Sequence, residues 1–381
     1  MKSTSRAIPI PPSLAEERRP LSGLSRLDWG LLAATLLLAA VGLVTVHSAS
    51  AELPVDYLPR QALWVAVGLA LMALVVAVDY HTLVDLSIAV YAVALGLLVL
   101  VLFVGVGPGG TKSWIALGGF RVGQPAELAK LGTALLLARY LATVDRRFLT
   151  LREIVLATAL AAVPVGLVVA QPDYGSAAMF APLLGSMLLV AGVRFRHLAI
   201  ALALCLALGA LTWSFGMQPY QRQRVITFLA PETDPLGAGY QVRQSKIAVG
   251  SGELTGKGYM QGTQSQLRFL PARHTDFVFA VLAEEWGFLG AGAVLGLYAA
   301  YILSALKIAM RARDREGILL VVGLVSVVSV HVAYNTAMVV GFVPITGIPL
   351  PFLSYGGSFM LMNFAATGLI LSVDLRRYVN R

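Results

Sequence analysis

The sequence predicts an all-α integral membrane protein of about ten transmembrane helices, N-in and C-in, with a long, partly structured extracytoplasmic loop between spans 7 and 8. Hydrophobic residues make up 57% of the chain and charged residues 13%, whereas soluble domains average roughly 45–50% apolar and about 25% charged. Apolar runs of about 20 residues, long enough to cross a bilayer, recur along the chain. Basic residues concentrate in alternate connections between these runs.

The apolar runs define the predicted spans. In chain order these are 29–49, 60–78, 84–106, 124–143, 153–171, 175–193, 197–216, 277–306, 318–343 and 356–375. They leave little chain for a soluble domain, so 26–381 is predicted to be one membrane domain containing the loop 217–276. Residues 1–25, rich in proline, serine and charge, are predicted to be a disordered cytoplasmic tail. The first run is longer than a signal-peptide core of roughly 7–15 residues, which disfavours cleavage after it.

Lys and Arg fix the predicted orientation. They occur before the first span and then in every second connection: Arg18, Arg19 and Arg26; Arg146, Arg147 and Arg152; Arg194 and Arg196; Lys307, Arg311, Arg313 and Arg315; Arg376, Arg377 and Arg381. The positive-inside rule places these segments in the cytoplasm and requires an even number of spans. The connection at Asp79–Asp85 is the exception, because it has no basic excess.

A charged cluster marks the start of the fourth span. Its members are Lys112, Trp114, Arg121, Gln124, Pro125, Glu127 and Lys130. Proline in a first turn favours a helix start. Glu127 and Lys130 are three residues apart, so they can touch on a helix. Two interpretations remain open: an internal ion pair, or a basic wall facing the cluster at the eighth span.

The densest polar segment precedes the eighth span. Asp276 lies at or near the first helical turn, where the helix dipole stabilises an anion, and it is either an N-cap or a functional carboxylate. Glu284 and Glu285 lie about two turns deeper, where carboxylates need partners or a wet cavity. Upstream, Gly250–Gly258 lacks the spacing of a phosphate-binding P-loop. It is either a flexible loop or a backbone nest for an anionic headgroup.

The last outer loop, 341–358, contains three prolines and four glycines, which exclude a continuous helix there. Irregular backbone at membrane level is tolerated only when it is buried in protein or lines a cavity.

These motifs together resemble the SEDS family (shape, elongation, division and sporulation). The last outer loop and the residues just before it carry Asn335, Gly341, Pro344, Gly347 and Leu353-Ser354-Tyr355-Gly356-Gly357-Ser358. Further matching segments are Leu270-Pro271, His274-Thr275-Asp276-Phe277, Glu284-Glu285, Trp114-Ile115 and Gln124-Pro125-Ala126-Glu127 through Lys130. Gly239-Tyr240-Gln241 and Gly262-Thr263-Gln264 are closer to elongation members than to division members. The resemblance covers nearly all of 26–378.

The resemblance implies a peptidoglycan glycosyltransferase that polymerises lipid II during elongation, at the outer face of the cytoplasmic membrane. It implies a class B penicillin-binding protein and elongation-complex membrane proteins as partners, with no nucleic acid. Asp276 is then the catalytic carboxylate, and pyrophosphate or sugar contacts fall to Arg121, Lys130, Lys112, Trp114, Glu127, His274 and Ser354. A divalent cation, Mg or Mn, held by Asp276 is an alternative source of positive charge, and no organic cofactor is expected.

Two other functions compete with this one. A lipid II flippase or polyprenyl-lipid transporter should place its essential charge near the membrane midplane, whereas these charges gather at the outer ends of helices. A noncatalytic scaffold for a penicillin-binding protein would not depend on Asp276.

Overall fold

The computed structural model describes residues 27–51, 53–107, 112–117, 120–194, 196–197, 199–200, 203, 222, 226–230, 234 and 237–377. The predicted N-terminal tail lies outside this part of the chain, and so does nearly all of the predicted span 197–216. Within the described residues the fold is helical, with a single two-stranded antiparallel sheet.

The elements follow the predicted spans closely. They are α1 Trp29–Ser50, α2 Leu58–Ala77, α3 Tyr80–Asp85, α4 Ser87–Val104, β1 Ile115–Leu117, β2 Phe120–Gly123, α5 Pro125–Ala142, α6 Leu151–Ala170, α7 Tyr174–Ala178, α8 Phe180–Ala191, α9 Ala238–Ser251, α10 Thr263–Gln266, α11 Val278–Arg311, α12 Arg315–Val339 and α13 Gly357–Arg376. Among the described residues, eight helical segments are long and apolar enough to cross a membrane, with α7 and α8 counted as one. The predicted fold class is therefore confirmed.

Helix α5 occupies the predicted fourth span but carries three charged residues, Glu127, Lys130 and Arg139. It packs against α4, α8 and α12 and touches α13, so most of its side chains are buried in protein. A charged helix can lie at membrane depth when neighbouring helices cover its polar groups.

Short polar side chains set several helix starts. Asp28 accepts a hydrogen bond from the Leu31 amide at 2.9 Å, and Asp314 accepts one from the Gly317 amide at 2.7 Å. Thr150 and Glu153 form a reciprocal capping box at the start of α6. These contacts satisfy amide groups that a helix leaves unpaired in its first turn.

Helices α12 and α13 are the most buried of the candidate spans. Helix α13 packs along α2, where Gly68 faces the Phe364 ring and Gly368 faces the Met72 carbonyl. Small residues at such crossings let helices approach closely in a membrane. Helix α12 contacts α5, α8 and α11, so three of the long helices pack around it.

The connection at Asp79–Asp85, which lacks basic residues of its own, receives them from the C-terminus. Arg376 donates to the Val76 and Ala77 carbonyls at 2.9 Å, and its Nε lies 3.5 Å from Asp79. Three-dimensional packing thus removes the one exception in the charge pattern.

The described part of the long loop that the sequence places outside the membrane folds onto the bundle. Helix α9 packs against α11 and α12. Helix α11 is interrupted at Gly287, whose φ of 68° is left-handed. The segment 253–258 runs along this interruption, where Glu253 and Leu254 carbonyls accept from the Phe288 and Leu289 amides at 2.9 and 3.1 Å. The Gly250–Gly258 segment is therefore packed in place.

Candidate active site

Three consecutive carbonyls fix the turn that precedes α11. The Tyr355 amide donates to His274 O at 2.9 Å, the Ser354 hydroxyl donates to Thr275 O at 2.6 Å, and the Asn335 side-chain amide donates to Asp276 O at 2.9 Å. All three donors come from α12 and the loop after it. We call this set of three hydrogen bonds the carbonyl clamp.

The donors of the clamp are themselves held. Asn335 also donates to the Ile348 carbonyl at 2.8 Å, and the Ser354 hydroxyl accepts from the Leu350 amide at 2.8 Å. Both side chains are completely buried. These further hydrogen bonds hold the two side chains in place. Ser354, predicted to contact substrate, thus has its hydroxyl engaged by protein on both sides.

The Asp276 side chain is half-buried, and its Oδ2 faces Gly347, where an added Cβ would lie 3.7 Å away. The N-cap position of α11 belongs to Phe277, and no side chain caps the helix there. The N-cap interpretation of Asp276 is therefore wrong. Its backbone is fixed by the clamp, whereas its carboxylate lies at the rim of the irregular 341–356 loop.

An aromatic group borders this turn. The His274 ring stacks on Tyr57 with centroids 4.5 Å apart and planes 11° apart, and Tyr355 packs at 4.7 Å from Tyr57. Burial, with the Arg273 charge adding to it, lowers the pKa of His274 to about 4. His274 is therefore neutral near pH 7, and it offers hydrogen bonding and stacking in place of positive charge. Arg60 hydrogen bonds to Tyr355.

The second predicted cluster forms a buried ion pair. Lys130 Nζ lies 2.8 Å from Glu127 Oε1, and each side chain is only 7% exposed. The same ammonium lies 3.5 Å from His331 Nε2 and 5.8 Å from the centre of the Phe359 ring. His331 Nδ1 contacts the Pro349 carbonyl at 3.0 Å, so Nδ1 must carry the proton and Nε2 accepts from Lys130.

This pair connects to the clamp through α12. His331 and Asn335 are one helical turn apart, and they bind the adjacent carbonyls of Pro349 and Ile348. A cavity of about 40 Å³ adjoins Glu127, Lys130 and His331, which is room for at least one water molecule. Of the two interpretations that the sequence left open, the structure shows the internal ion pair.

The other predicted contacts lie near the hairpin β1–β2. Lys112 is exposed, and its Nζ lies 3.4 Å from the Leu102 carbonyl. Trp114 forms a bridge with Val106. Arg121 is on β2 and pairs with Ala116, but its side chain lies outside what the structure describes.

Glu284 and Glu285 have structural partners, as the sequence suggested. Glu284 is completely buried and accepts from Lys257 Nζ at 2.7 Å and from the Gln264 and Ser265 amides at 2.9 and 3.2 Å. Glu285 accepts from the Ser48 hydroxyl. Because Lys257 is paired with Glu284, it contributes little free charge to an anion site in the glycine-rich segment.

The candidate metal ligands do not cluster at Asp276. Among the described residues, the only three His, Cys, Asp or Glu side chains close enough to share an ion are His81, Asp314 and Glu316. These residues lie at the opposite end of α12 from the clamp. A metal at Asp276 would complete its coordination with substrate oxygens, water or other oxygen atoms of the protein, and Mg²⁺ commonly keeps several waters when bound.

Comparison with known proteins identifies the family. The sequence model of the FtsW, RodA and SpoVE family, described as cell cycle proteins, matches residues 28–379. The chain belongs to this family. The resemblance to SEDS proteins drawn from the motifs is thereby confirmed.

Individual relatives agree with the family match. The chain is 39% identical over 351 residues to the Escherichia coli K12 protein named peptidoglycan glycosyltransferase MrdB, covering 92% of this chain and 94% of that one. A chain in a solved structure of a peptidoglycan synthase complex, described as coordinating polymerization and crosslinking, superposes with a TM-score of 0.79 at 34% identity. The match covers 92% of this chain and 98% of that one. The Thermus thermophilus rod shape determining protein RodA superposes at 0.68 with 30% identity, over the same shares of the two chains.

Three residues of this candidate site were not predicted as site residues. Asn335 was noted within a motif, but its role depends on contacts with residues 59 and 13 positions away. Tyr57 and Arg60 lie at the start of α2, more than 200 positions before His274. A single sequence contains no signal for such distant contacts.

Proposed function

We propose that this protein is a peptidoglycan glycosyltransferase that polymerises lipid II during cell elongation. The curated names of its relatives support this activity. The main structural support is the carbonyl clamp, which fixes the backbone on either side of Asp276 while the carboxylate stays half-buried. Such an arrangement suits a catalytic group, because a group that reacts must be held in one geometry and still reach its substrate.

In the proposed reaction the C4 hydroxyl of an acceptor GlcNAc attacks the anomeric carbon of a donor MurNAc. A glycosidic C–O bond forms while the bond from that carbon to the pyrophosphate oxygen breaks. Asp276 takes the hydroxyl proton as general base, a role typically worth about 10²- to 10⁴-fold in rate. Undecaprenyl pyrophosphate leaves with the bonding electron pair.

The leaving pyrophosphate needs positive charge. Lys130 is a poor candidate in the observed state because its ammonium is buried and neutralised by Glu127. Lys112 and Arg121 remain proposed ligands, and we add Arg60 because it lies beside Tyr355 at the edge of the aromatic group. A divalent cation held by Asp276 would supply the same charge. His274 and Tyr57 offer flat faces against which a sugar ring can pack.

The proposed location of the site is the extracytoplasmic face of the cytoplasmic membrane. The supporting observation is that the basic ends of α11, α12 and α13 lie opposite to the Asp276 turn. The proposed partner is a class B penicillin-binding protein, supported by the similarity to a synthase complex that couples polymerization with crosslinking.

The decisive experiment measures glycan chains formed from labelled lipid II by the purified protein with its penicillin-binding partner. Asp276→Asn keeps the shape of the side chain and should lower polymer formation by at least about 10²-fold. Thr275→Val is the matched control, because only the carbonyl of Thr275 belongs to the clamp. It should retain activity within about threefold.

Copurification of the partner and thermal stability must be unchanged in both variants. Equal polymer from Asp276→Asn and the unmodified chain would remove Asp276 from the mechanism. If neither the unmodified chain nor either variant makes polymer, but lipid II crosses the membrane of proteoliposomes that contain the unmodified chain, the transporter function is favoured. If none makes polymer and the partner's transpeptidase activity still rises on binding, the scaffold function is favoured.

A further inference from the structure

A basic pocket lies at the opposite end of the bundle from Asp276. Its walls come from the α5–α6 connection and from the chain after α8, and its volume is about 450 Å³. Arg146, Arg194, Arg196 and His197 line it, and none of the described residues that line it is a carboxylate. A cavity of this size is large enough for a small ligand or a headgroup.

The pocket has a fixed frame. The Leu149 amide donates to the Gly192 carbonyl at 3.0 Å, and Arg315, at the start of α12, donates to the Val144 and Ala191 carbonyls. Gly192 has a left-handed φ of 100°, and a Cβ there would lie 2.4 Å from the Arg147 carbonyl. This close approach requires glycine. The hydrogen bonds hold the two connections together.

Arg146 interacts electrostatically with Glu153, but within the described residues none of the pocket arginines forms an ion pair with a carboxylate. Arg146, Arg194 and Arg196 are all exposed. Asp145 is nearby in sequence but does not line the pocket, and Glu153 accepts the Thr150 amide at 2.6 Å in its capping box. The positive-inside rule requires cations on this side, but it does not require them to converge on a cavity.

The surroundings of the pocket are apolar and exposed. Leu151 and Val155 on α6 are 64% and 58% exposed, and Leu189 and Val190 on α8 are 50% and 44% exposed. Phe148, at the pocket edge, lies under the guanidinium groups of Arg147 and Arg194 at 5.5 and 5.6 Å. The cations therefore stand where the lipid-facing surfaces of two candidate spans begin.

We propose that this pocket binds the phosphate headgroup of an anionic phospholipid, with its acyl chains lying along α6 and α8. The cations match a phosphate ester, because one guanidinium group can donate two parallel hydrogen bonds to phosphate oxygens. The exposed leucines and valines offer an apolar surface for acyl chains, and neither a soluble phosphate nor an acidic peptide has acyl chains. Basic pockets between transmembrane helices at the cytoplasmic side are suited to such headgroups.

The test uses the full chain purified in detergent and exposed to phosphatidylglycerol or phosphatidylcholine. Lipid retained after gel filtration is quantified by mass spectrometry. The unmodified chain should retain phosphatidylglycerol at least about tenfold better than phosphatidylcholine, and glycerol phosphate should not displace it. Equal retention of the two lipids, or displacement by glycerol phosphate, would overturn the proposal without any variant.

Two variants with equal loss of charge localise the binding. Arg194→Gln/Arg196→Gln removes two cations from the pocket, whereas Arg152→Gln/Lys307→Gln removes two from the same side of the protein outside it. The pocket variant should lose about fivefold in retention for each arginine, and the control should stay within about twofold. Equal losses in both variants would mean diffuse attraction by net charge, and preferential retention of an acidic peptide would identify a protein ligand. Either result would overturn the lipid site.

Discussion

The Asp276 turn and the Glu127–Lys130 pair have similar sequence features but differ in structure. Both place charged residues at the start of a helix in a strongly apolar chain. Lys130 and Glu127 are each 7% exposed and bind one another. Asp276 is half-buried, and the contacts from α12 and its following loop are made to backbone carbonyls of its turn.

The difference shows two ways in which this bundle uses polar groups: one holds helices together, and the other holds a turn in place. A buried ion pair contributes little net stability, but breaking it leaves one costly charge behind. Hydrogen bonds to carbonyls fix a turn without using the carboxylate that the turn carries. We therefore propose that the pair serves the framework and that the clamp positions Asp276 for substrate.

The largest effect is expected from breaking the ion pair. Lys130→Met leaves Glu127 buried without its cation and should lower the free energy of unfolding by about 3–5 kcal/mol. The double variant Glu127→Gln/Lys130→Met removes both charges and should recover more than half of that loss. Chemical denaturation in detergent measures both changes.

A single variant as stable as the unmodified chain would contradict the structural role of the pair. Polymer formation by the double variant sharpens the comparison further. Activity that returns with stability assigns Lys130 to the framework, whereas a stable but inactive double variant would assign it to the pyrophosphate.

A smaller effect is expected from the clamp. Asn335→Ala leaves the carbonyls of Asp276 and Ile348 without this donor and should cost about 1–3 kcal/mol, with a fall in kcat larger than the stability loss explains. Asn363→Ala is the matched control, because Asn363 donates to the Phe359 carbonyl of its own helix at 2.7 Å. Equal kcat in the two variants would show that the clamp does not position Asp276.

The smallest effect concerns pH. The pKa of His274 is lowered to about 4 from 6.5, so between these values the unfolded chain binds a proton that the folded chain does not. Stability should therefore fall as the pH drops through this window. In His274→Gln this part of the slope should disappear, as thermal midpoints across the window would show. An unchanged slope would mean that His274 is not the group responsible.

Much of the fold followed from the sequence because apolar length and charge distribution are local properties. Nine of the ten predicted spans match described helices within a few residues, and the tenth lies almost wholly outside the described ranges. The hairpin Ile115–Gly123 was not predicted, since its strands are three and four residues long. At the site, Asp276, His274 and the Glu127–Lys130 pair could be selected as candidates, because charged residues are rare in this chain.

The sequence by itself determined that the protein crosses a membrane and which family motifs it carries, and it predicted the orientation, because these depend on composition and on residues close together in the chain. Only the tertiary structure decided what each charged group contacts. His331 lies 201 positions from Lys130, and Ser354 lies 79 positions from Thr275. Such contacts form when helices pack, and packing depends on the whole chain at once.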